Sequence, residues 1–523
     1  MKQKHCTAKT LAYLSPMNRH FLTFPLLALL FCLTFSSHAQ KEKEQRPNIV
    51  FAIADDWSGE HAGVNGCDWV KTPSFDRIAN EGVRFTNTFT SNPKCSPCRA
   101  SILTGRNSWQ LKEAVNHMTI FPKEFKVYPA LMEEAGYHVG LTGKGWGPGD
   151  YRVAGYKHNP AGKEYQKIRE PAPHRGIANL DYAANFKEFL KAGKPGQPFC
   201  FWYGAYEPHR TYEDGAGLKE GKNLKDVEVP PYFPDNRTVR SDLLDYAVEV
   251  EWFDTHLGRI VDHLEEIGEL ENTLIIVTSD HGMPFPRVKG QILEDGFHLP
   301  LAVRWGKKIK PGRVIHDFIN VRDYAPTIME AAGLKPHPQM TGKSFLDLLL
   351  SDKEGLIDPS RNVQLIGKER HDIGRPNDVG YPVRAIRTRE FLYIRNYEPD
   401  RWPAGNPETG YRNVDDSPTK STILSRFDKY YRMSFGKRPA EELYKIGSDP
   451  RCMENLATND EYKNEVKKLR NQMESMLKAE GDPRLNGNAA FFDTIDYVGR
   501  KPHGWEAWSE FHQPAKGKEP AKK

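Results

Sequence analysis

Cysteine is scarce in this 523-residue chain: there are seven, at positions 6, 32, 67, 95, 98, 200 and 452. Two fall within the first 39 residues, and the remaining five are too few and too scattered for the disulfide framework of a small secreted domain. An odd number also means that at least one is free, modified or a ligand. No internal repeat occurs, which excludes solenoids and propellers. The 42 glycines and 38 prolines follow no period, which excludes collagen-like chains. A basic excess is missing too. The net charge is +5, and four of those charges are Lys2, Lys4, Lys9 and Arg19 in an acid-free N-terminus. The rest is close to neutral, so no nucleic-acid partner is expected. The one long apolar run, residues 21–35, is short for a transmembrane helix, and no membrane span is expected.

That run follows basic residues and leads to Ser37-His38-Ala39, a small-x-small cleavage pattern. Residues 1–39 therefore read as a signal peptide, and the mature protein as exported, to the periplasm or outside the cell. Met17 offers a tidier start. Cys32 raises a lipoprotein alternative, against which stands the bulky Phe31. The composition beyond is globular, with 38% hydrophobic and 27% charged residues. A main domain is expected over 40–379, a smaller α+β subdomain over 380–510 and a basic tail over 511–523.

Four apolar runs, 48–54, 138–142, 199–205 and 274–278, read as central strands covered on both faces. Between them, residues 243–267 keep a 3.6-residue apolar period, and 128–135 and 180–190 are shorter helical stretches. Strands alternating with helices imply an α/β fold with a largely parallel sheet sandwiched by helices. Each strand delivers ionisable residues at its C-terminal end, where open α/β sheets bind ligands. One site is thus expected to collect Asp55, Asp56, Lys144, His209, Asp280 and His281.

Adjacent carboxylates at Asp55-Asp56 repel unless a cation or base lies between them; a solvated loop or helix cap is the plainer reading. With Asp280-His281 from an equivalent strand end they make a four-ligand set, rich enough in oxygen to favour Ca²⁺ or Mg²⁺ over Zn²⁺. Cys95-Ser96-Pro97-Cys98-Arg99 has three readings from its residues: a redox pair, half of a zinc site, or a nucleophile precursor beside an anion-binding arginine.

Cys-x-Pro-x-Arg followed by Ala100-Ser101-Ile102-Leu103-Thr104-Gly105-Arg106 resembles the signature of the formylglycine-dependent sulfatases. The likeness extends over about residues 46–480. It implies an alkaline-phosphatase-like fold and conversion of Cys95 to Cα-formylglycine (3-oxoalanine) by a separate formylglycine-generating enzyme. It further implies a metal site, typically for Ca²⁺, formed by Asp55, Asp56, Asp280, His281 and modified Cys95. Arg99, Lys144, His209 and Lys289 match the family's catalytic residues that hold sulfate and move protons. Cys98 stands where Ser is more usual. One departure is larger: relatives read Lys-x-His after the second strand, and this chain reads Lys144-Gly145-Trp146. His209 then acts alone, or another histidine enters; His117, His158 and His298 are the candidates.

Within the family, three stretches resemble sulfamidase (heparan N-sulfatase) and related exported polysaccharide sulfatases, including ulvan sulfatases: 279–286, 381–384 and 442–456. The resemblance implies hydrolysis of sulfate groups on a sulfated carbohydrate, an algal polysaccharide or a glycosaminoglycan, with N-sulfoglucosamine cleavage as the alternative. Lys368, Arg370 and His371 are expected to read the polymer's charges, and Trp146 and Trp402 to stack on sugar faces. Competing readings are a phosphate or phosphonate ester hydrolase of the same fold and a carbohydrate-binding relative without catalysis.

Overall fold

The computed structural model describes residues 46–499 and 504–512. The expected signal peptide and most of the expected basic tail lie outside the described residues. The described residues form one compact unit.

Its centre is a sheet of nine strands among the described residues. In chain order these are β1 (Asn48–Ala54), β2 (Val83–Phe89), β3 (His138–Gly143), β4 (Lys163–Glu164), β5 (Phe199–Gly204), β6 (Thr273–Ser279), β7 (His298–Arg304), β8 (Arg313–Ile315) and β9 (Ile319–Asn320). Their spatial order is β8-β2-β7-β6-β1-β5-β3-β4, with β9 also on β2. Every pairing is parallel except those of β7, which runs antiparallel to β2 and β6.

Strands β1, β5 and β6 are buried at every residue, which is why their sequences are unbroken apolar runs. Alternation along β1 sends Val50 and Ala52 to one face and Ile49, Phe51 and Ile53 to the other. The first face is covered by α3 (Tyr182–Ala192) and the 30-residue α4 (Arg237–Glu266). Asn236 caps α4 by accepting a hydrogen bond from the amide of Val239. The other face is covered by α1 (Cys95–Thr104), α2 (Tyr128–Glu134) and residues around Tyr324 and Ile328.

A second, antiparallel sheet has the order β10 (Val363–Lys368), β11 (Val383–Thr388), β12 (Phe391–Asn396), β13 (Glu441–Lys445). It opens at Val363, on the N-terminal side of residue 380. One face packs on Phe89, Phe297 and Phe318 of the main domain. The other receives Val466, Leu469, Met473 and Leu477 of α5 (Lys463–Ala479). Arg384 on β11 is fully buried, with Nε and Nη2 on Asp482 at 2.7 and 3.0 Å and Nη2 also 2.8 Å from Glu369. No helix among the described residues is long and apolar enough to cross a membrane.

Candidate active site

The register of the sheet builds the site. Ala54 pairs with Ser279, Ile53 with Gly204, and Gly143 with Gly204. Four strands therefore end at one level, and the residues that follow, Asp55-Asp56, Lys144, Glu207 to His209 and Asp280-His281, leave the sheet side by side. The Asp55 amide donates to the Glu207 carbonyl at 2.9 Å, and the Asp56 amide to Asp280 Oδ1 at 3.1 Å. Asp56 has φ 79°, a left-handed conformation that non-glycine residues rarely hold without such bonds.

Asp55, Asp56, Asp280 and His281 are all buried to 1% exposure or less. So much negative charge away from water requires compensation. Arg99, also fully buried, places Nε 2.9 Å from Asp280 Oδ2 and Nη2 3.3 Å from Asp55 Oδ1. Its Nη1 donates to the carbonyls of Lys144 and Gly145. Lys144 Nζ pairs with Asp55 Oδ2. Lys289 Nζ lies 2.6 Å from Asp56 Oδ2 and 2.7 Å from Asp415 Oδ2. Burial raises the Asp55 carboxyl, but Lys144 and Arg99 outweigh it and hold the group well below the usual carboxylate range.

Cys95 is the first residue of α1, every residue of which is buried, and Gly105 ends the helix in a left-handed conformation. The helix N-terminus and the cations around it favour an anionic group at this position. Burial and Asp55 push the thiol up, yet Lys144, His281 and His117 together hold it well below its ordinary value. Its Sγ is 3.3 Å from His281 Nε2. Cys98 is free and packs in the core with Ile102, so Cys95 and Cys98 form no disulfide.

Ligand atoms of Asp55, Cys95, Asp280 and His281 lie within 4.8 Å of one another. Asp56 Oδ1 is buried and lies 2.9 Å from His281 Nε2, which ties Asp56 to this group. Buried carboxylates in such number suit a hard divalent cation; four of the five expected ligands form this group, while a ligand oxygen of Asp56 groups with His209 and Asp415.

The cluster opens into a cleft of about 860 Å³. Cys95, Lys144, His209 and Lys289 line it, as the sequence led us to expect; Arg99 lies beneath its floor. His117, Lys94, Asp372, Arg412 and Asp415 line it as well. His117 is one of the candidate histidines, and Asp372 belongs to the charged segment Lys368 to Asp372 expected to face the site. Lys94 adjoins the signature, a faint signal; Arg412 and Asp415, on a loop beyond β12, have none.

The expected substrate contacts do not hold. Trp146 is 3% exposed, its Nε1 donates to the Ser96 carbonyl, and its ring packs edge-on against Phe121. Lys368 is buried with Nζ on the Gly290 carbonyl at 2.7 Å. Arg370 donates to the carbonyls of Ile495 and Asp496. His371 is buried with Nε2 2.8 Å from Asn92 Oδ1. These polar groups are used up joining the second sheet to the chain around it, and none of the four lines the cleft. Trp402 also stands away from it, beside Tyr411. Of the three candidate histidines, His158 is exposed elsewhere, and His298 is bonded to the Thr86 carbonyl.

Residues 47–334 match the Sulfatase family, and residues 287–402 match the family described as N-sulphoglucosamine sulphohydrolase, C-terminal. The chain is 30% identical over 445 residues to an ulvan-active sulfatase of Formosa agariphila, covering 84% of this chain and 81% of that one. It is 26% identical to N-sulphoglucosamine sulphohydrolase of Homo sapiens, covering 83% and 91%. A solved structure of a protein in complex with its substrate D-glucosamine-2-N,6-O-disulfate is similar with a TM-score of 0.60 at 22% identity, covering 84% of this chain and 98% of that one. Phosphonate monoester hydrolase of Agrobacterium radiobacter has a TM-score of 0.60 at 18% identity, covering 84% and 97%. Those two likenesses speak for the fold alone. The Sulfatase match runs through every strand end that delivers a residue to the cluster, from Asp55 to Lys289, and on that span this chain belongs to the sulfatase family, the sulfuric ester hydrolases.

Proposed function

We propose that this protein is an exported sulfatase that removes sulfate groups from a sulfated polysaccharide or its oligosaccharides, of the ulvan or glycosaminoglycan type. The observation that carries the reading is the position of Cys95: first residue of a buried helix, ringed by Arg99, Lys144 and Lys289, and open to the cleft. Names of relatives on both sides of the choice, ulvan-active sulfatase and N-sulphoglucosamine sulphohydrolase, support the substrate class.

Asp55, Asp56, Asp280 and His281, with residue 95, would hold a divalent cation, Ca²⁺ in our reading, and such an ion supplies positive charge to sulfuryl oxygens. Conversion of Cys95 to formylglycine by a maturation enzyme supplies, on hydration, a hydroxyl nucleophile that water can regenerate. The chain's own residues do the rest. Lys144 and Lys289 bind the sulfate oxygens and offset the charge that builds on them. Arg99 orients residue 95 against Asp55 and Asp280. His209, on the cleft wall with Nδ1–H donating to the Arg210 carbonyl, takes a proton on Nε2 from water and passes it to the leaving oxygen or nitrogen.

The test is sulfate release by matured enzyme from N-sulfated glucosamine and ulvan oligosaccharides side by side. Release from the first alone makes the bond an N-sulfate; release from the second alone makes it an O-sulfate of an algal polymer. Cys95→Ala and Cys95→Ser are each expected to lose roughly 10⁴-fold or more in kcat. Full activity in either variant, or phosphate release exceeding sulfate release on matched esters, would overturn the reading.

A further inference from the structure

The segment after β3 brings no imidazole to the cleft, because Trp146 turns into the core beneath Ser96. The other wall does. His117 follows the short helical turns beyond α1, and its amide donates to the Arg370 carbonyl at 3.1 Å. Its Nδ1 lies 2.9 Å from Asp372 Oδ1. The second oxygen of that carboxylate lies 2.9 Å from Lys94 Nζ, next in sequence to Cys95. His117 is 8% exposed and lines the same cleft as Cys95. With Nδ1 taken by Asp372, the buried Nε2 is the ring nitrogen left to face the Cys95 thiol. Since Asp372 only accepts, the Nδ1–H is the proton it fixes, and the Nε2 lone pair is left for whatever position 95 carries.

A nucleophile position, an imidazole and a carboxylate that holds the ring are thus in sequence across two sheets, the arrangement by which hydrolases activate a weak nucleophile. We propose that His117 is a catalytic residue of this sulfatase, its Nε2 taking the proton from a hydroxyl carried at position 95, with Asp372 as its positioning residue. The O–H bond breaks, the proton passes to Nε2, and the electron pair stays on oxygen; the proton leaves to water before the next turnover. The inference rests on the reading of residue 95 given above.

In matured enzyme, His117→Ala is expected to lower kcat about 10²–10⁴-fold with KM little changed, and added imidazole to restore part of the loss. Asp372→Asn should cost less, and the double variant no more than His117→Ala alone, as for groups that act as a unit. Two readouts are independent of turnover. Metal content and melting temperature of His117→Ala should equal those of wild type, and unmatured Cys95 proteins of both forms should bind a sulfated glucosamine oligosaccharide equally well by calorimetry. His117→Gln serves if the alanine variant does not fold. Unchanged kcat, a loss confined to KM or binding, or no rescue by imidazole overturns the role of His117. A wild type that releases sulfate from no substrate overturns instead the reading of residue 95.

Discussion

The indole Nε1 of Trp146 donates a 3.0 Å hydrogen bond to the main-chain carbonyl of Ser96, the residue after Cys95. The Trp146 amide is itself held by Asn159 Oδ1 at 2.8 Å. The loop that carries Lys144 is thereby tied to the helix that carries Cys95. Trp146→Phe keeps most of the packing and loses one hydrogen bond, so it should cost about 1 kcal/mol of stability with KM unchanged. Trp146→Ala should cost about 3–5 kcal/mol. Urea denaturation and initial-rate kinetics check both, and a tenfold rise in KM for Trp146→Phe would return this residue to the substrate.

Asp280 touches the Asp56 amide, Arg99 and, at 3.7 Å, His281. Asp280→Asn removes one of three buried carboxylates from the cluster. Metal bound per chain, measured by atomic emission after dialysis, should fall well below that of wild type, and a chelator should abolish the activity of wild type. Equal metal content in the variant would place the cation elsewhere.

Arg384 spans Asp482 and Glu369, all three 2% exposed or less. Arg384→Met strands two carboxylates away from water. Its cost should be about 3–5 kcal/mol, as for other broken buried pairs. The urea midpoint measures it, and a change below about 1 kcal/mol would mean that Arg484, which also pairs with Glu369, supports the site alone.

His61 is buried beneath Tyr246, and burial, with Arg451 nearby, holds its imidazole down to about 3 from an ordinary 6.5. The folded protein keeps it neutral while the unfolded chain binds a proton below 6.5, so stability is lost as pH falls from 6.5 toward 3. The slope is about 1.4 kcal/mol per pH unit for one such group. His61→Gln should remove that share of the acid sensitivity, read from urea midpoints across this range. An unchanged slope would show that His61 is protonated in the fold.

Much of the cluster was legible because it is local. A buried strand needs an unbroken apolar run, and the charged residue that ends the run marks where the strand leaves the core. Asp55, Lys144, His209 and Asp280 were found that way. Lys368, Arg370 and His371 misled for the opposite reason. A basic run looks solvated, whereas here its cations end on carbonyls of Gly290, Ile495 and Asp496, which no spacing announces.

Local pattern alone was enough for the parallel sheet, the strand ends that carry charge, the Cys95–Arg99 spacing and the lack of a histidine two residues after Lys144. These depend on periodicity and on neighbours within a few residues. Packing between distant segments makes Trp146 a tie beneath the helix, brings His117 against Asp372 at the cleft, and lets Asp415 reach Lys289. Those contacts join residues from 50 to 255 positions apart in the chain, and they follow from how the buried faces pack, which no local pattern encodes.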